Sequence, residues 1–425
     1  MANVKFPYGK DFLEYDFDDG SLLGVLESSI EKYIPEGSAE ELVKGAMENP
    51  IGSPRLSELA EGKKNIVIIA SDHTRPVPSK VIIPPMLKEI REGNPDAEIT
   101  ILIATGCHRG TTRDELVAKF GEEIVDSVNI YVHDCDEREK LVNLGKLPSG
   151  GDCEVNSIAV NADLLVAEGF IEPHFFAGSS GGRKSVLPGV CGRKTVLSNH
   201  CAEFIADGNS RTGILDGNPI HNDMLWAAET AKLCYIVNVV LNAEKEVIYA
   251  VAGDTFEAHK KGVDFLREQC GAKAQPADIV LTTNGGYPLD QNVYQSVKGM
   301  TAAEATVKDG GVIIMMAKAN DGVGGDHFYR QMADEQDVNK IMSDLMSRGR
   351  LETLPDQWMT QILSRILLRA SVIYISDAPD NIISDMHMIP AHSLDEAMKK
   401  AKEILGRKDV TVTAIPDGVA VIVER

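Results

Sequence analysis

Apolar runs of strand length alternate with helix-like apolar periodicity along almost the whole chain, and this alternation restricts it to an α/β architecture. In the first half the runs fall at 65–70, 98–104, 129–133 and 163–167. They are continuous rather than alternating, which suits parallel strands buried on both faces. Between the first two, residues 80–92 carry helical periodicity after the paired prolines Pro84 and Pro85, a pair suited to a helix start. The pattern pauses at 271–276 and resumes with a strand at 278–282 and a helix over 289–308. A strand at 311–317, helices over 334–346 and 356–368, a strand at 371–376, a helix over 393–405 and closing strands at 409–414 and 420–423 follow. A chain of 425 residues exceeds what a single core normally holds. The expected organisation is therefore two α/β domains, an N-terminal one over 1–272 and a C-terminal one over 273–425, with an active-site cleft between them.

Apolar residues make up 43% of the chain, enough for a fully packed protein, and the formal charge is −21. That excess of carboxylates argues against nucleic acid and anionic membrane surfaces as partners, because both are bound chiefly through Lys and Arg. No apolar stretch reaches bilayer-spanning length and the first residues lack a signal-peptide core, so a cytoplasmic location is expected. The seven cysteines form an odd set without a C-x-x-C pair, which fits reduced thiols rather than a disulfide framework or a four-cysteine zinc site. Cys107 and Cys201, each near a histidine, are read as packing residues before catalytic thiols.

Ligands of parallel α/β sheets bind beyond the carboxyl ends of the strands, so the loops after these runs hold the candidate chemistry. The first loop contains Asp72, His73, Thr74, Arg75 and Pro76, and the second contains Gly106, Cys107, His108, Arg109 and Gly110. The third, over 172–185, contains His174, Gly178, Gly181, Gly182, Arg183 and Lys184, and His200 follows it. Its glycines let the backbone approach a ligand and suit an anion-binding nest, although their spacing is not that of a Walker loop. His108 and His174 each fit a structural hydrogen bond as readily as catalysis. Two imidazoles in converging loops favour an opposed acid–base pair, which inversion at a carbon requires. Arg75 and Arg109 on one side and Lys298 on the other are candidate clamps for a carboxylate or phosphate. Gln291, Tyr294, Gln295 and Lys298 are expected on one helix face. His200 is a candidate ligand to a metal or a phosphate, with no second ligand at a recognisable spacing.

Together, Asp-His-Thr-Arg-Pro at 72–76, His108-Arg109, the 172–185 segment with its Gly-Gly-Arg-Lys-Ser core, His200, and Asn-Gly-Gly-Tyr-Pro-Leu-Asp-Gln at 284–291 followed by Tyr294 and Lys298 resemble the nickel-dependent lactate racemase family. The resemblance covers nearly the whole chain. It implies a nickel pincer nucleotide, a pyridinium-3-thioamide-5-thiocarboxylic acid mononucleotide that holds nickel through sulfur and carbon and is tethered to a lysine, here Lys184. It also implies His200 as the protein ligand to nickel, His108 and His174 as acid–base residues, and Arg75 and Lys298 as substrate-orienting cations. Asp72 is expected to support the same site, Tyr294, Gln295 and Trp358 to line the cleft, and Gly178, Gly181 and Gly182 to accommodate the nucleotide.

The implied reaction is interconversion of D- and L-lactate. C2 gives up hydride to leave a planar keto acid, one histidine takes the hydroxyl proton, and return of hydride to the other face gives the enantiomer. The implied partners are a small 2-hydroxy acid and the cofactor-biosynthesis proteins that load the nucleotide. Ser179 and Cys107 stand where the family carries bulkier residues, which implies a roomier pocket and leaves malate or a longer-chain 2-hydroxy acid as an alternative substrate. A cofactor-binding or storage protein is the non-enzyme alternative, and the paired histidines argue against it.

Overall fold

The computed structural model describes residues 2–18 and 20–424. Two six-stranded sheets form it. The first runs in the order Val247–Gly253, Leu233–Leu241, Leu164–Phe170, Asn65–Ser71, Glu98–Ala104, Asn129–Val132, all parallel except Val247–Gly253 at one edge. The second runs Ile389–Ala391, Ser371–Ile375, Val307–Met316, Ala277–Thr283, Val412–Ile415, Leu22–Val25, parallel throughout. Ile66, Val67, Ile68 and Ile69 show why the central strands read as unbroken apolar runs: successive side chains face opposite sides of the sheet, and all four are fully buried. Each such side chain contributes about 1.5–3 kcal/mol by leaving water. No helix among the described residues is long and apolar enough to cross a membrane.

Two expectations change. The helix between the first two strands spans Ser79–Gly93, so Pro84 and Pro85 lie inside it rather than at its start. Missing N–H groups at these positions leave carbonyls one turn earlier without their helical donors. Burial of Ile82, Ile83, Met86 and Ile90 against the first sheet offsets that cost.

The first 25 residues do not belong with the lobe that follows them. Ala2–Tyr8 and Asp11–Phe17 form a hairpin whose Val4, Phe6 and Phe17 pack with Ile279, Leu281 and Val312 of the second sheet. Leu22–Val25 completes that sheet beside Val412–Ile415. A strand of four residues carries too little local pattern to announce a partner so distant along the chain. The chain then crosses to the first lobe, where Ser29 N donates to Gln269 O at 2.8 Å, beside the return crossing. The lobes also meet through the Arg350–Glu203 ion pair (2.7 Å) and Gln361 Nε2 donating to Ala202 O (2.7 Å).

Candidate active site

The loops after Asn65–Ser71, Glu98–Ala104 and Leu164–Phe170 follow three adjacent parallel strands, so their carboxyl ends open side by side. They wall a cavity of about 520 Å³ that the second lobe closes with Tyr294, Gln295, Lys298, Asp356 and Trp358. Arg75, His108, His174, Gly181, Lys184 and His200 line it from the first lobe. Buried Glu168, on the third strand, ties the first loop down: its Oε1 accepts from Ser71 N (3.1 Å), Ser71 Oγ (3.1 Å) and Ser79 Oγ (2.9 Å).

Asp72 does not reach the cavity but controls a residue that does. Its Oδ2 lies 2.7 Å from His108 Nδ1, while Oδ1 accepts from Thr74 N (3.1 Å) and Thr74 Oγ1 (2.7 Å). Burial opposes the charge of Asp72, yet the hydrogen bonds from His108 and Thr74 prevail and hold its carboxyl below the usual range. A carboxylate only accepts, so His108 carries its proton on Nδ1 and presents the Nε2 lone pair outward.

His174 has the opposite arrangement. It sits in the small ladder of Pro173–His174 against Gly178–Ser179, and its Nδ1 accepts from Ala177 N at 3.2 Å. A neutral ring that accepts at Nδ1 carries its proton on Nε2. Burial, then the nearby cations Lys184 and Lys298, push its pKa well below the usual histidine value, so the ring is neutral. Phe175 stacks on it with centroids 5.1 Å apart and Phe176 meets it edge-on at 4.5 Å.

Lys184 lies on the single turn Gly182–Ser185. Burial, Arg183 and Arg75 hold its amine well below the usual lysine range, which favours the unprotonated, nucleophilic form. Arg183 beside it is 1% exposed and pairs with no acidic side chain among the described residues, and burial pushes it down to about 9. Its guanidinium is held by His221 Nδ1 (2.9 Å), Ala177 O (2.8 Å) and Gly181 O (3.2 Å). The sequence offered no signal for this role, because Arg183 next to Lys184 reads simply as a second cation. His221 and His259 are buried near it.

The glycines serve this scaffold rather than an anion nest. The amides of Ser180, Gly182 and Lys184 already donate to Glu172 O (3.0 Å), Asn238 Oδ1 (2.8 Å) and Gly181 O (3.2 Å). Only Gly181 lines the cavity; Gly178 packs on Ile214 O and Gly182 on the His259 ring. Gly181 has φ +79°, and a β-carbon there would lie 2.7 Å from Asn238 Oδ1 and 2.9 Å from Phe170 O. Gly181→Ala is expected to cost about 1–3 kcal/mol, read as a lowered Tm in thermal unfolding.

His200 ends the helix Arg193–Asn199, wedged edge-on between Phe176 and Trp358, each with its ring centroid 5.0 Å away. It is 7% exposed and its Nδ1 is buried without a hydrogen-bond partner. Burial, reinforced by Lys184, pushes its pKa down to about 3. Among the described residues, no group of three potential metal ligands includes it.

On the second lobe, Asn292 caps the helix Val293–Thr306 by accepting from Gln295 N at 2.9 Å. The helix therefore places Tyr294, Gln295 and Lys298 on the cavity but leaves Gln291 ahead of it, bonded to Pro288 O. Tyr294 OH donates to Asp356 Oδ1 at 3.3 Å, a cavity residue the sequence reading missed. Lys298 Nζ lies 5.9 Å from the Phe175 ring centroid, and burial followed by Arg75 pushes its pKa down to about 8 against the pull of Glu172. Arg109 is turned outward and paired with Glu115 (2.5 Å). Ser179 is fully buried with Oγ 3.4 Å from His259 Nε2, away from the cavity wall; Cys107 does line it.

Residues 8–213 match the family model of the lactate racemase N-terminal domain, and residues 272–423 match that of the lactate racemase C-terminal domain. The chain belongs to the lactate racemase family. It is an isomerase. Lactate racemase of Thermoanaerobacterium thermosaccharolyticum is 54% identical over 424 residues, covering 100% of this chain and 99% of that protein. Lactate racemase of Lactiplantibacillus plantarum is 52% identical over 425 residues, covering 100% of both. The solved lactate racemase apoprotein from T. thermosaccharolyticum superposes with a TM-score of 0.96 at 53% identity over 100% of both chains. A Thermotoga maritima protein shares the fold at a TM-score of 0.64 and 18% identity, covering 92% of this chain and 100% of that one.

Proposed function

We propose that this chain interconverts D- and L-lactate with a nickel pincer nucleotide bound through Lys184 and His200, and with His108 and His174 as the acid–base pair. The observation that carries the reading is His200, a buried neutral imidazole with a partnerless Nδ1, in the same cavity as two further histidines and a Lys184 whose pKa burial holds well below the usual range. These residues fit the group: a metal takes a neutral imidazole nitrogen, and acyl attachment takes an unprotonated amine. When bound, the nucleotide supplies the acceptor and donor for the hydride exchanged at C2.

The remaining chemistry rests on the chain's own side chains. Arg75 and Lys298 flank the cavity from opposite lobes and hold the substrate carboxylate, with Tyr294 and Gln295 beside it. His108 Nε2, with its lone pair free, takes the hydroxyl proton in one direction, and Asp72 steadies the imidazolium that results. His174, on the same cavity, is the acid–base group of the opposite face; it donates a proton only from its imidazolium form and returns to the neutral ring. The aromatic wall of Phe175, Phe176 and Trp358 limits water around the reacting carbon. Proteins that assemble the nucleotide are the further partners this reading requires.

With Ser179 out of the wall, a substrate larger than lactate is favoured only by Cys107. Racemisation of a panel of single-enantiomer 2-hydroxy acids by the loaded chain decides the matter. Lactate is expected to turn over fastest, and a preference for malate, or turnover of none, overturns the reading. The pKa of Lys298 adds a pH signature: as pH rises through about 8 its ammonium is lost and carboxylate capture weakens. KM for lactate is expected to climb above that pH with kcat less affected, measured by initial rates across about pH 7–10.

A further inference from the structure

Cys107 and Cys135 stand on neighbouring loops in a geometry that nothing in the racemase reading uses. The strands Glu98–Ala104 and Asn129–Val132 are adjacent and parallel, with Ile103 opposite Val132. Each cysteine follows the end of its strand at the same remove. Neighbouring strands lie about 4.8 Å apart, and disulfides span Cα separations of about 4.4–6.8 Å. The loops are locked together just before the thiols, by His133 N donating to Ile103 O (3.1 Å) and Thr105 Oγ1 donating to His133 O (2.6 Å). The side chains of the two thiols interact with each other.

Access divides their roles. Cys107 is exposed and lines the cavity one residue before His108, whereas Cys135 is 4% exposed beneath it. We propose that Cys107 and Cys135 form a peroxide-responsive disulfide site at the mouth of the active-site cavity. Cys135, and then the charge of Arg193, lower the pKa of Cys107, while Cys107 raises that of Cys135. Cys107 is thus the attacking thiol and Cys135 the resolving one. Cys107 sulfur attacks a peroxide oxygen, an S–O bond forms, the O–O bond breaks, and water leaves with a sulfenic acid on Cys107. Cys135 sulfur then displaces the sulfenic oxygen as a second water. Two thiols are oxidised to one disulfide and one peroxide is reduced to two waters.

Cys191, whose pKa is raised by burial and then by Cys153, is 0% exposed, as is Cys153, so the two form an internal control. The new bond would pin the loop that carries His108. Its effect on turnover rests on the racemase reading, whereas the bond itself does not.

The test is non-reducing peptide mapping of the full chain after stoichiometric hydrogen peroxide. The expected product is a Cys107–Cys135 cross-link reversed by dithiothreitol, with Cys107 oxidised at least about tenfold faster than the partly exposed Cys234. In Cys135→Ser the cross-link is absent and Cys107 proceeds to sulfinic acid. In the loaded enzyme, racemisation is expected to fall as the cross-link forms and to return on reduction. A Cys107 that stays reduced, reacts no faster than Cys234 or pairs with another cysteine overturns the site. A cross-link with unchanged turnover overturns its control of the loop. A cross-link in loaded protein that never racemises lactate counts against the racemase reading and leaves the disulfide site standing.

Discussion

Asp72→Asn is expected to lower kcat/KM for racemisation by about 10²–10⁴-fold while the fold stays intact. Thr74 N and Oγ1 both donate to Asp72 Oδ1 and so fix which side of an asparagine amide keeps the oxygen. The NH₂ group then faces His108 Nδ1 and donates to it, which forces the ring to move its proton to Nε2. His108 thereby loses the lone pair it presents to the cavity. His174 does not compensate, because the Ala177 amide already holds its proton on Nε2. Racemisation rates from both enantiomers, alongside thermal unfolding, check the prediction. A fully active, fully folded Asp72→Asn enzyme means that Asp72 does not set the tautomer of His108.

Lys184→Ala and His200→Ala are expected to be equally damaging to turnover but to fail differently. Loaded Lys184→Ala should show no covalent adduct by intact mass, and its racemisation should fall to background. His200→Ala should keep the adduct at Lys184 but lose nickel, by at least about tenfold per protein in metal analysis. This split follows from the site: Lys184 offers an amine whose pKa burial lowers, whereas His200 offers a partnerless ring nitrogen. An adduct that persists in Lys184→Ala, or full nickel retention in His200→Ala, removes the corresponding residue from its role.

The positions of the reactive loops were legible because strands buried on both faces leave an unbroken apolar signature, and polar residues begin where each strand ends. His108, His174, Lys184, His200 and Lys298 were all found this way or through the motifs, and all line one cavity. What the sequence hid depends on contacts distant along the chain. Gly178 and Gly182 look like ligand-binding glycines from their neighbours, yet Ile214 and His259 impose their lack of a side chain. Ser179 sits within the motif but faces inward, because the Pro173–His174 ladder with Gly178–Ser179 turns it toward His259. Arg183 is one side chain away from Lys184 and identical to it in formal charge. Only its buried cage of carbonyls and His221 distinguishes it.

Leu22–Val25 leaves the ribosome long before Val412–Ile415, the strand beside which it completes its sheet. Through most of synthesis the nascent chain therefore carries an early strand with no partner, and the first sheet can close long before the second. The Gly181 to His200 segment lies in that early half, while Tyr294, Lys298 and Trp358 emerge later. Lys184 and His200, the proposed anchor and metal ligand, are thus available on a growing chain before the residues that cover them are made.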